Sequence, residues 1–94
     1  MTSQYNMSMN RIIIDVREPY EYEAGHVKGA LNIPPAELLA GARQLDDVAK
    51  DTELVLYCKT GSRSNVSIQI LRGLGFTNLV NGVNAGQVEK KYPR

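Results

Sequence analysis

A single cysteine, Cys58, is followed by Lys59-Thr60-Gly61-Ser62-Arg63-Ser64. Ahead of it, Glu53-Leu54-Val55-Leu56-Tyr57 is a short aliphatic run of the kind that forms a buried parallel strand. Behind it, Val66, Ile70 and Leu74 recur at i, i+4 and i+8, with Ser67 and Leu71 beside them, which predicts a helix. A strand that empties into a helix start leaves several backbone N–H groups without partners. With the helix dipole, those groups make a site for an anion. A thiol placed there has its ionised form stabilised, and its pKa falls from the free value of roughly 8.5 toward neutrality. The chemistry this pattern predicts is that of a nucleophilic thiolate. The competing reading is a buried structural cysteine at a strand end, the common fate of a free thiol. The loop glycine, the flanking cations and the helix start argue for the nucleophile.

The neighbours divide by what their side chains offer. Arg63 carries a planar fork that can hold an anionic donor or neutralise the thiolate. As a first-turn arginine it can equally bond nearby carbonyls or solvent. Lys59 at the mouth would steer anions, although a surface lysine reads the same way. Gly61 supplies the positive φ that a turn from strand to helix requires. Thr60, Ser62 and Ser64 complete the loop. His26 invites a Cys–His dyad, but a histidine inside the turn Gly25-His26-Val27-Lys28-Gly29 is expected to bond a neighbouring backbone group instead. Asp15 and Arg17 are expected to form a scaffold hydrogen-bond pair.

The elements that must position these groups alternate along the chain. Ile12-Ile13-Ile14-Asp15-Val16 is a β-branched strand, too apolar for a sheet edge. Pro19 suits the first turn of a short helix, with Glu18 and Glu21 near its positive end and Gly25 capping the far one. A strand over Ala30 to Ile33 follows. Pro34-Pro35 opens a helix through Ala36 to Leu39, with Leu38, Leu39 and Ala42 on one face. Residues Asp46 to Asp51 form a polar connection with a helical turn near Val48. After the central strand, loop and helix, Gly73-Leu74-Gly75 stops the helix. Asn78-Leu79-Val80 is a fourth strand, Gly82 a turn, and Asn84 the N-cap of a final polar segment. Alternating strands and helices predict an α/β domain, with a central parallel sheet of four to five strands and helices on both faces. Ligands bind such sheets at the carboxyl ends of the strands, and both Asp15-Val16-Arg17 and Cys58 fall there.

The chain has 94 residues, 43% apolar and 22% charged, with a net charge of +1. That length makes one small domain, read as residues 11–94 behind a flexible segment of residues 1–10. The charge gives no reason to expect nucleic acid or an anionic membrane as partner. No apolar run approaches the roughly 20 residues of a membrane span. The opening residues lack a signal-peptide pattern, so a cytoplasmic location is expected. One cysteine allows no internal disulfide, so any nucleophile that resolves a cysteine adduct comes from outside the chain.

Three segments closely resemble the rhodanese-like domain family. They are Ile13-Ile14-Asp15-Val16-Arg17-Glu18 with Glu21-Tyr22 and Gly25 to Pro34; Val55 to Ser64; and Leu71 to Val80. Their order, and a match from about Ile12 to Gly86, make the resemblance specific. Where the family often has Gly-Gly and a later tryptophan, this chain has Ala85-Gly86 and no tryptophan. The resemblance implies a cysteine that accepts a sulfane sulfur from thiosulfate, or a persulfide or polysulfide donor, holds it as a persulfide, and passes it to a thiol or other nucleophile. It assigns Cys58 as the nucleophile and Lys59, Thr60, Gly61, Ser62 and Arg63 as the loop around the outer sulfur. Asp15, Arg17, His26 and Ser64 become supporting residues. No cofactor or metal is implied; a thioredoxin-like protein is one possible acceptor.

Alternatives of other classes are a protein-docking or sulfur-carrier module acting with a partner, and an arsenate reductase or phosphatase-like enzyme. Docking modules of this type usually have the cysteine replaced. The related phosphatases place five residues between cysteine and arginine, whereas Lys59 to Ser62 are four. The smaller ring suits one sulfur atom better than three phosphate oxygens.

Overall fold

The computed structural model describes residues 11–93. The segment expected to fray, residues 1–10, lies outside the described residues. A four-stranded sheet runs in the order β2-β1-β3-β4. Its strands are β1 (Arg11–Asp15), β2 (Leu31–Asn32), β3 (Glu53–Cys58) and β4 (Leu79–Asn84). All pairings are parallel. The helices are α1 (Pro19–Glu23), α2 (Pro35–Leu39), α3 (Ser62–Gly73) and α4 (Ala85–Lys91), with a 3-10 turn at Arg43–Leu45. No helix among the described residues is long and apolar enough to cross a membrane.

Period-two alternation sends successive side chains of the central strands into two separate cores. Ile14, Leu54, Leu56 and Cys58 point to one face, packing with Leu38, Ile68, Leu71 and Phe76 under α2 and α3. Ile13, Val55 and Tyr57 point to the other, against Val27, Ala30 and Val88. Burial on both faces explains why β1 and β3 read as continuous apolar runs and sit at the centre of the sheet.

The local rules hold at the helix ends. Pro19 occupies the first turn of α1, and Glu18 and Glu21 form a reciprocal capping box. Asn84 caps α4 by accepting the Gln87 N–H. Gly75 takes the positive φ that ends α3.

Four expectations need correction. The second strand contracts to Leu31–Asn32. Leu39 is 74% exposed, so the buried face of α2 is Leu38 alone, with Ala42 beyond it. The buried stripe of α3 runs through Ser64, Ser67, Ile68 and Leu71, while Val66 is 59% exposed and Leu74 partly so. Two small serines sit where the helix crosses β3 closely, and that inward face carries little apolar signal to read. Finally, Gly82 is not a turn but an interior residue of β4, at a register shift where Leu56 faces Asn81 and Tyr57 faces Val83. A Cβ there would lie 2.5 Å from Val88 Cγ2 and 3.0 Å from Val55 Cγ1, so only glycine fits.

Candidate active site

Cys58 ends β3, Gly61 is the N-cap of α3 at φ +97°, and only Lys59 and Thr60 separate them. No side chain caps α3. The Gly61 N–H instead points at Cys58 Sγ, 3.0 Å away, so the sulfur accepts the N-cap amide that an N3 side chain accepts in a capping box. The first helical hydrogen bond runs from Asn65 N–H to the Gly61 carbonyl at 3.0 Å. The amides of Ser62, Arg63 and Ser64 precede it and have no carbonyl of their own helix to meet.

Burial pushes the Cys58 thiol up, because the charged form loses water. Hydrogen bonds from the Ser64 hydroxyl and from the amides of Ser64, Gly61 and Thr60 outweigh that, and the pKa settles at about 7. The side chain is only 2% exposed. Its accessible edge opens into a cleft of about 440 Å³, lined among others by Arg17, Tyr20, Glu21, Lys59 and Ala85.

The cations in and beside the cleft are unevenly committed. Arg63 donates Nη1 and Nη2 to the two oxygens of Glu21 on α1, at 2.7 and 3.1 Å. That pairing, with a further hydrogen bond from the Glu18 N–H, holds the Glu21 carboxyl down at about 2. Arg17 lays Nε and Nη2 on the Asp15 carboxylate and reaches the Gly25 carbonyl at 2.7 Å. Asp15 is fully buried and also receives the Tyr57 hydroxyl, which in turn accepts the Val27 N–H. This chain of bonds ties the end of β1 to β3 one residue before the cysteine. Lys59 lines the cleft and makes no ion pair among the described residues.

His26 sits away from any dyad geometry. Its Nδ1 is 2.8 Å from the Tyr22 carbonyl and its ring stacks on Tyr22 with centroids 3.6 Å apart. Thr60 and Ser62 share a hydroxyl contact of 3.2 Å at the exposed side of the loop.

Three contributors escaped the sequence. Glu21, on a short helix 42 residues from Arg63, engages the fork that was expected to face a donor. Val83 adopts φ +74° and packs its Cγ1 where a Gly61 Cβ would lie, at 3.3 Å. Asn81 bonds Gly61, Ser64 and Val83 with one side chain. An asparagine within a strand-like run was the only available signal for the last.

The arrangement can ionise a thiol near neutral pH, surround it with amides, and expose it to a small solute. Comparisons with known proteins identify related chains and folds. The family profile of the rhodanese-like domain matches residues 3–88. YqhL, an uncharacterised protein of Bacillus subtilis, is 41% identical over 69 residues; the match takes in 73% of this chain and 52% of YqhL. The chain thus spans about half the length of that curated relative. Among solved structures, a rhodanese with anions from E. coli superposes with a TM-score of 0.72 at 31% identity, over 82% of this chain and 89% of the other. The human single-domain sulfurtransferase TSTD1 gives 0.68 at 32% identity, over 89% and 82% of the two chains.

Proposed function

The chain belongs to the rhodanese-like domain family, and on that footing we propose that it is a sulfurtransferase working through a Cys58 persulfide. In the donor step the Cys58 thiolate attacks the outer sulfur of thiosulfate. A new S–S bond forms, the old one breaks, and its electron pair leaves with sulfite. In the acceptor step an external thiolate attacks the outer sulfur of the persulfide. The bond to Cys58 breaks, the acceptor becomes the persulfide, and Cys58 returns as thiolate.

The observation that carries this reading is the Gly61 N–H aimed at Sγ from 3.0 Å on the floor of an open cleft. The amides that stabilise the thiolate before attack lie at the sulfur from which the persulfide is built. Lys59 is the cation left to draw in the donor, with Arg17 and Arg63 contributing a field partly cancelled by Asp15 and Glu21. These 94 residues hold one cysteine, so an accepting thiol lies outside them. A low-molecular-weight thiol or a thioredoxin-like protein has the required chemistry.

The test is intact-mass spectrometry after thiosulfate and again after a thiol. The wild-type protein should gain one sulfur atom and lose it on thiol addition, and Cys58→Ser should gain none. A wild-type protein that never gains sulfur from thiosulfate or from a polysulfide would overturn the proposal.

A further inference from the structure

Ser64 has one hydroxyl proton and three acceptors within reach. Asn81 Oδ1 lies at 2.7 Å, the Gly61 carbonyl at 3.1 Å and Cys58 Sγ at 3.5 Å. The Gly61 carbonyl already receives the Asn65 N–H and Asn81 Nδ2, each at 3.0 Å, so both its lone pairs are taken. The orientation of the Asn81 amide is fixed from both ends. Its Oδ1 must accept from the Val83 N–H at 3.0 Å, and its Nδ2 must donate to Gly61. A flipped amide would set N–H against N–H and oxygen against oxygen. The contact at 2.7 Å is therefore a Ser64 donation to Asn81. With the proton there, Ser64 presents only lone pairs to the sulfur, an arrangement suited to a neutral S–H and hostile to a thiolate.

We propose that Asn81 is a positioning residue for the nucleophile, holding the Ser64 proton while the sulfur is neutral and releasing it to the sulfur when Cys58 ionises. The inference rests on the reading of Cys58 as a reactive thiolate. Rotation about the Ser64 Cβ–Oγ bond is the only movement required, because 3.5 Å is already a hydrogen-bond distance to sulfur. The rotation leaves nothing stranded. Asn81 Oδ1 keeps the Val83 N–H, and Nδ2 keeps the Gly61 carbonyl. Once the persulfide forms, its charge lies on the outer sulfur beyond Ser64, and the proton returns to Asn81. Asn81 pairs with Leu56 in the regular register of β4, on the face that carries Cys58, and the register shift that follows it pairs Val83 with Tyr57. The charged groups around the sulfur are Lys59 beside it, Arg17 after β1, and the Arg63–Glu21 pair between α3 and α1. From β4 and α4 come only the neutral Asn84, Ala85 and Gly86.

The experiment reads the Cys58 ionisation from the pH dependence of alkylation by iodoacetamide, a reaction that needs no sulfur donor. Ser64→Ala should raise the midpoint by about one pH unit, since a charge-assisted hydrogen bond is lost. Asn81→Ala should lower it by about half a unit, because the hydroxyl no longer has a competing acceptor. In the double variant the Asn81 effect should vanish, leaving the Ser64→Ala value. Asn81→Ala also deprives the Val83 N–H of its acceptor; should it fail to fold, Ser64→Ala decides alone. An unchanged or lowered midpoint in Ser64→Ala would mean that the hydroxyl stays with Asn81, and the proposal is overturned. A raised midpoint in a protein that never forms a persulfide would instead overturn the sulfurtransferase reading and leave this one standing.

Discussion

Ionisation of Cys58 should make the folded protein more stable at alkaline pH than at mildly acid pH. In the unfolded chain the thiol keeps its proton up to roughly 8.5. In the folded chain burial opposes the charge, but the Ser64 hydroxyl and the amides of Ser64, Gly61 and Thr60 prevail, and the pKa is about 7. Between the two values the unfolded state binds more protons than the folded state, so stability rises with pH. A gap of about 1.5 to 2 pH units is worth about 2–3 kcal/mol at 1.36 kcal/mol per unit. That contribution is complete above the unfolded pKa, declines as the pH drops, and is gone below about pH 6. Against a typical stability of about 5–15 kcal/mol it is readily measured. Urea unfolding of wild type and Cys58→Ser at about pH 6 and pH 9.5 isolates it, because every other titrating group is common to the two proteins. The stability difference between them should change by about 2–3 kcal/mol across that interval in favour of wild type at high pH. Alkylation of native wild type should show its midpoint near 7. Parallel stability profiles, or an alkylation midpoint at or above the free-thiol value, would refute the reasoning.

The Arg63–Glu21 pair should govern how a dianionic donor binds. Arg63→Ala leaves Glu21 alone at the cleft and should raise KM for thiosulfate about tenfold, the equivalent of about 1.4 kcal/mol. Glu21→Gln should lower KM by freeing the guanidinium. Both differences should shrink at high salt, and the stability changes should stay within about 1 kcal/mol because the pair is partly exposed. Steady-state kinetics at two ionic strengths check this, and equal KM values in all three proteins would remove charge from the account. Gly61→Ala places a Cβ at φ +97°, 3.3 Å from Val83 Cγ1. The left-handed backbone and the tight contact together should cost about 2–3 kcal/mol by urea unfolding. Displacement of the Gly61 N–H from the sulfur should also raise the alkylation midpoint. Gly82→Ala, which collides with Val88 at 2.5 Å, should lose stability as well. A Gly61→Ala protein as stable as wild type would contradict the fit.

How far the sequence could be read follows the range of the forces involved. The strands were legible because Ile13, Ile14 and Leu54 to Tyr57 are buried on both faces, and a parallel sheet writes that as an unbroken apolar run. The loop was legible because a cysteine, a glycine and a helix start within a few residues constrain one another locally. The inward face of α3 was not. Close packing against β3 selects Ser64 and Ser67 there, while Val66 and Leu74, which look like core at helical spacing, face outward. Gly82 failed for a related reason. It marks a close approach to Val55 and Val88, and a sequence shows that as a turn.

The functional reading changes most where long-range partners decide. Arg63 and Arg17 both lie where an anion would be drawn in, and the sequence shows their charge. It does not show that Glu21 and Asp15 hold those charges in two-point contacts. A guanidinium held in that way still contributes field, but the carboxylate beside it cancels part of that field. Work at the sulfur therefore falls to neutral groups: the Gly61 amide at 3.0 Å, the helix start behind it, and a serine whose proton Asn81 can hold or yield. In the proposed transfer the charge migrates by one sulfur atom, which suits dipoles of this kind better than a fixed cation. In the proposed reaction a cation strong enough to trap thiosulfate or sulfite would slow their departure, whereas the Gly61 amide is already in place at the sulfur when the thiolate forms.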